Sequence, residues 1–297
     1  MKKAVFLFMI GICFSLVYSP ACQTEVVTVS SGTNVELDYR TLEPGEVIAV
    51  EIKDPYDVLE AKVKFLNRTF RMGTSEINHR LFAFISLDLE LEPGFYPLTV
   101  FIKKKNGKWD KVQKRITVPA KEFPILKLWV DKRFITPPEK FRERIELESE
   151  LLRVLFNGYT PLWLGEGGFV FPSPGSARPS FGERRLFNNI HWSTHRGVDV
   201  ASPFGSPVIA SNSGRIVLAR NLYYAGNALI IDHGVGVFTF YCHLSRLGVK
   251  RGDFVRRGDI IGRVGATGRV TGPHLHWAVR VAGKNVDPYS LLNLDLE

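Results

Sequence analysis

Almost everywhere in this 297-residue chain, the apolar residues come in short β-branched or aromatic runs cut apart by turn-forming residues. In the first part such runs fall at 26–29, 47–52, 61–65, 81–85 and 96–102, with Glu43-Pro44-Gly45, Glu92-Pro93-Gly94 and Asn106-Gly107 between them. From residue 168 onward they recur at 208–210, 214–218, 228–231, 237–241 and 260–264, and Gly234-Val235-Gly236 reads as a hairpin turn. Runs this short are strand-length, and their partial alternation fits sheets with one face buried. The expected fold class is mainly β: an immunoglobulin-like sandwich over 24–118 and an antiparallel β-domain over 168–297. One window breaks the pattern. Residues 137–156 put Phe141, Ile145, Leu147, Leu151, Leu152, Val154 and Leu155 on the apolar side of a helix. Thr136 is placed to cap it, Pro137 suits its first turn, and Glu139 completes a capping box. This helix lies in a linker over 119–167. The Gly- and Pro-rich stretch 157–185 is long for a loop, which marks it as functional or flexible.

The N-terminus has the order of an export signal: Lys2 and Lys3, an apolar stretch over 4–17, then Ser19-Pro20-Ala21 ahead of a cut after residue 21. The apolar stretch falls short of the roughly 20 residues that span a bilayer. The expected location is therefore the periplasm or cell envelope. Cys22 would begin the mature chain, and membrane attachment is expected only if it is lipidated. Cys22 and Cys242 are expected to stay unpaired.

Charge separates the halves. Residues 168–297 carry 15 Lys and Arg against 8 Asp and Glu, and the remainder carries 24 against 22. A basic domain outside the cytoplasm suits an anionic polymer and argues against nucleic acid as partner.

Six of the seven histidines lie between His191 and His276. On a strand, His274 and His276 share one face while Leu275 and Trp277 point into the core. Asp199, four residues after His195, stands in an apolar stretch where a lone carboxylate is costly unless paired or metal-bound. His195, Asp199 and one histidine of the His274/His276 pair make two imidazoles and a carboxylate, a catalytic zinc set with a fourth position for water. A histidine outside that set, such as His243, is left for proton transfer. Cys242 and His243 are adjacent, so strand alternation sends them to opposite faces and excludes a thiolate–imidazole dyad.

His195-x-x-x-Asp199, Tyr241-x-His243-Leu244-Ser245 and Gly272-Pro273-His274-Leu275-His276 resemble the three signatures of the lysostaphin-type (LytM-like) zinc metallopeptidases, which hydrolyse peptidoglycan cross-links. Phe181-Gly182-Glu183-Arg184-Arg185 and Gly265-Ala266-Thr267-Gly268 are similar to further segments of that family. The resemblance implies that His195, Asp199 and His276 bind one Zn2+ per chain and that His243 and His274 are catalytic. It implies a barrel-sandwich-hybrid β-domain with a groove for peptidoglycan stem peptides. His191, Asn189 and Tyr241 are its candidates for substrate contact, and His233 a structural position. The alternative is a non-enzymatic cell-wall-binding or amidase-activating module of the same fold, but the ligand set is complete here. The N-terminal domain and the stretch 157–185 are candidates for covering the groove.

Overall fold

The computed structural model describes residues 22–29, 32–75, 77–132 and 135–296. The export signal expected over 1–21 lies outside the described residues. No helix among those described is long and apolar enough to cross a membrane.

The N-terminal part folds as two packed sheets. One orders its strands Gln23–Thr28, Asn34–Tyr39, Val47–Ile52, Leu81–Ser86, Gly73–Ser75 and Leu162–Trp163; the other orders Arg68–Arg71, Val58–Phe65, Gly94–Lys104 and Trp109–Val118. Setting aside the two outermost strands of the first sheet, these orders follow the A-B-E-D and C′-C-F-G arrangement of immunoglobulin-like sandwiches. Val63, Phe65, Leu98, Val100 and Ile102 meet Ile48, Val50, Ile52 and Ile85 between the sheets.

The strand Val47–Ile52 is buried at every position, which a sandwich with one wet face does not produce. Its other face, Val47 and Ala49 with Phe82 and Phe84, joins the core of the C-terminal domain. Phe84 packs on Trp163 at 4.9 Å between ring centroids. Polar ties reinforce the join: Val47 N–H donates to Ser290 Oγ at 2.9 Å, and Arg40 bridges Glu46 and Asp287. The sandwich is thus fixed to the C-terminal domain through a continuous apolar layer.

The C-terminal domain is built on an antiparallel sheet ordered Ser176–Ala177, Val198–Ala201, Leu275–Val281, Val237–Leu244, Gly226–Gly234, Gly214–Leu222 and Phe254–Val255, with Lys284–Val286 paired to Leu275–Val281. A small sheet of Pro207–Ile209, Ile260–Arg263 and Arg246–Leu247 accompanies it, and no closed barrel forms among the described residues. One face of the main sheet carries Leu229, Ile231, Tyr241, Leu275, Trp277 and Val279 into the core shared with the sandwich. The sandwich therefore backs the sheet on the face opposite to the groove.

Three local expectations change. The α-helix runs Arg142–Phe156, preceded by a 3-10 turn at Glu139–Phe141, and no side chain caps it. Pro138 holds Pro137 out of helical backbone, so the Thr136 capping box cannot form. Leu147 and Val154 face water, while Phe156 packs with Leu218, Ile230 and Phe238 on the sheet's second face. The stretch 157–185 is largely built into the domain: Trp163, Phe169 and Phe181 are buried in the main core, while Arg178 reaches the wall of the groove. The linker contains a strand, Ile125–Leu128, paired in parallel with Arg184–Phe187, which pairs in turn with His191–Thr194.

Candidate metal centre and active-site groove

Register builds the centre. Val198–Ala201 pairs with Leu275–Val281 so that Asp199 stands directly opposite His276, and Cys242 faces His276 from the other side. Leu275 and Trp277 alternate into the core, which leaves His276 on the groove face. Gly197 allows the close approach: a Cβ there would lie 2.6 Å from the Trp277 carbonyl oxygen and 2.8 Å from His276 Nε2.

Three donor atoms converge. His276 Nδ1 lies 2.8 Å from Asp199 Oδ1, His195 Nε2 lies 3.0 Å from the same oxygen, and the two ring nitrogens are 3.1 Å apart. Three ligands around one tetrahedral zinc stand roughly 3.3 Å apart, so this set needs only a slight opening to hold such an ion. Tautomers agree with that role. His195 Nδ1–H donates to the Ser180 carbonyl at 2.8 Å, which turns the Nε2 lone pair towards Asp199 and His276. Burial alone would raise the Asp199 carboxyl; the His195 and His276 rings hold it well below the usual range. Asp199 Oδ2 accepts from Arg185 at 3.0 Å, and Arg185 is held by the fully buried Glu183, which also receives Arg178. Among the described residues one other acidic group, Glu36, Asp38 and Glu51 in the sandwich, is close enough to hold an ion. Lys53 and Arg80 already pair with it.

Two more imidazoles border the triad. His274 Nδ1–H donates to the Gly272 carbonyl at 2.9 Å, and His274 Nε2 lies 3.7 Å from Asp199 Oδ1. His243 Nδ1–H donates to the Thr267 carbonyl at 2.9 Å, which frees Nε2, and its ring centroid lies 4.9 Å from that of His274. Burial and the neighbouring His276 and His274 push the His243 imidazole down to about 3.

His243 reaches the groove through a β-bulge. Asn227 pairs with Leu244 and Leu229 with Tyr241, so Cys242 and His243 together face Ala228. His243 adopts φ 65°, and its N–H donates to the Ala225 carbonyl. Both Cys242 and His243 therefore line the groove, which corrects the expectation of opposite faces. No thiolate results: burial, with Asp199 nearby, pushes the Cys242 thiol well up. Cys22 and Cys242 are free.

The groove is a cavity of about 490 Å³ that contains all five residues, with Tyr224, Arg269 and residues 126–130 among its walls. The wall at 126–130 is fastened by Asn188, whose amide donates to the Val130 carbonyl and accepts from the Val130 N–H, both at 2.9 Å. Phe141 packs on Tyr223 at 5.1 Å, and Glu148 accepts from the Tyr223 N–H at 2.7 Å, so the helix braces the turn carrying Tyr224. Other expected contacts fall elsewhere. Tyr241 is buried in the core, with its hydroxyl bonded to Ser211 and Thr239. That geometry removes it from the groove. His191 and Asn189 are exposed and do not line the cavity. His233 is buried between the Ser213 carbonyl and the Thr239 hydroxyl.

Residues 193–288 match the model of peptidase family M23. The C-terminal domain belongs to this family. The chain is 50% identical over 93 residues to the peptidoglycan DD-endopeptidase ShyA of Vibrio cholerae, covering 31% of this chain and 22% of that one. It is 47% identical over 108 residues to the DD-carboxypeptidase/endopeptidase Mpg of Neisseria meningitidis, covering 36% of this chain and 25% of that one. The chain thus spans about a quarter or less of these relatives. A putative peptidase M23 from Pseudomonas aeruginosa has a solved structure similar to most of this chain. It is 26% identical with a TM-score of 0.63, over 85% of this chain and 96% of that one.

Proposed function

We propose that the chain is an exported, zinc-dependent endopeptidase that hydrolyses peptide cross-links of bacterial peptidoglycan. The observation carrying this reading is the convergence of His195 Nε2, Asp199 Oδ1 and His276 Nδ1 within 2.8–3.1 Å, beside two imidazoles with outward Nε2 atoms. Its similarity to the peptidoglycan DD-endopeptidase ShyA and the DD-carboxypeptidase/endopeptidase Mpg supports the same substrate.

His195, Asp199 and His276 would hold the ion. When bound, zinc would polarise the scissile carbonyl and bring the pKa of a bound water to about 7. His243 and His274 keep their Nε2 atoms free because Thr267 and Gly272 take their Nδ1 protons. One Nε2 accepts the proton of the attacking water and returns it to the leaving amine; either imidazole, once protonated, stabilises the developing oxyanion. Glu183 and Arg185 fix the outer oxygen of Asp199, which keeps its inner oxygen on the two ring nitrogens. The extended stem peptide lies along the groove between residues 126–130 and the sheet.

Zymography on purified peptidoglycan tests the reading. The full-length protein should clear the substrate, lose activity to a chelator and regain it with added Zn2+. Mass spectrometry of the released fragments should show newly separated stem peptides. Clearing unaffected by chelator, or none with zinc present, would remove the proposal.

A further inference from the structure

Arg269 carries a charge in the groove that no other described residue of the site neutralises. It lies between Thr267, which positions His243, and His274. Its N–H is fixed to the Tyr224 carbonyl at 2.8 Å. Its guanidinium carbon sits 4.7 Å from the Tyr224 ring centroid and 5.7 Å from that of Phe187. Among the described residues no acceptor takes a hydrogen bond from this guanidinium and no carboxylate pairs with it. Arg185 and Arg178 differ, since both are engaged by Glu183. Burial and the nearby Arg185 push the Arg269 guanidinium down from its ordinary value. A guanidinium nevertheless stays charged at any working pH, and withdrawing it from water without a counter-charge is unfavourable.

Its position says where the missing anion belongs. Arg269 lines the groove beside His195, Asp199 and His276. It also lines an adjoining cavity of about 510 Å³ walled by Arg184, Arg196 and Trp192. Among the described residues, Asp199 is the only acidic one lining either cavity, and it is committed to the histidines and Arg185. The rings of Tyr224 and Phe187 hold the guanidinium in place, so its planar fork is pre-organised for a carboxylate.

We infer that Arg269 anchors the free carboxylate borne on the carbon that carries the leaving amine of the scissile bond. This rests on the peptidase reading of the site and narrows it. Where two stem peptides are joined directly through a diamino diacid, whose second amine-bearing carbon also carries a carboxyl, that carbon keeps a free carboxylate. In a glycine bridge, or where the acid is amidated, the same position holds an uncharged amide. The groove therefore selects direct, acid-bearing cross-links over neutral bridges.

The test uses two synthetic cross-linked peptides that differ only in a carboxylate or a carboxamide on the leaving residue, with full-length zinc-loaded protein. The wild type should favour the acid by at least about tenfold in kcat/KM, mostly through KM. R269Q should lower kcat/KM on the acid by about 10- to 100-fold and abolish the preference, and R269K should restore part of it. Calorimetry of the two leaving fragments with metal-free protein should show the same preference in Kd, independently of turnover. The anchor is overturned if wild type shows no preference in Kd and kcat/KM, or if R269Q keeps it. Fragment preference without hydrolysis of either peptide would remove the endopeptidase reading and leave Arg269 only as a carboxylate-binding residue of the groove.

Discussion

Asp199 and His276 stand opposite one another on adjacent antiparallel strands, with Oδ1 and Nδ1 2.8 Å apart. The pair is made by register. A slip of one residue would bring Leu275 or Trp277 to the groove and turn His276 into the core. Burial of Leu275 and Trp277 thus secures both the core and the ligand geometry.

The first prediction concerns the space between these strands. Gly197→Ala would press a Cβ on the Trp277 carbonyl and His276 Nε2. Zinc affinity, measured by chelator competition, should fall at least about tenfold, the range seen when support around metal ligands is disturbed. Circular dichroism should show the β fold retained. Unchanged affinity would mean that the strand pair yields without moving His276.

A second prediction tests the brace behind Asp199. Glu183 is fully buried, and its carboxylate orients Arg185 on Asp199 Oδ2. Glu183→Gln should weaken zinc binding or kcat/KM by about 10- to 100-fold. Equal activity at equal zinc content would show that Asp199 needs no such support.

His243 gives the third. Its imidazole borders the triad but is not one of the three converging donors. His243→Ala should therefore bind a full equivalent of zinc and lose about 10²- to 10⁴-fold in kcat. An unchanged kcat would take His243 out of the mechanism.

Much of this centre is legible in the chain itself. The even spacing of His274 and His276 on an alternating strand, and Asp199 within an apolar run, point to the groove face before any fold is known. The position of His243 is not legible that way. Strand alternation sends it away from Cys242, and only the bulge opposite Ala228, with φ 65° at His243, returns it to the groove. Ile125 to Val130 carries a strand-like apolar pattern, but its pairing with Arg184–Phe187 depends on a distant segment. Likewise, continuous burial of Val47–Ile52 reflects a second partner that composition cannot reveal. Near-neutral charge in the N-terminal half also gives no hint that the sandwich backs the catalytic sheet.

The fourth prediction concerns acid stability. Burial lowers the His233 imidazole to about 4, while an unfolded histidine titrates near 6.5. Above about pH 6.5 the group is neutral in both states and its full contribution is present. Below that, the unfolded chain takes the proton first, so stability falls between about pH 6.5 and 4. The loss is roughly 2 kcal/mol by pH 5. Urea unfolding of His233→Gln should show lower stability at pH 7 but a smaller loss on acidification. Parallel pH profiles for the two proteins would refute this assignment.

The most direct measurement is a crystal structure of the zinc-loaded protein with anomalous data collected at the zinc edge. One peak should lie about 2.0–2.2 Å from His195 Nε2, Asp199 Oδ1 and His276 Nδ1 together. Its absence from that position at full zinc content would contradict the account.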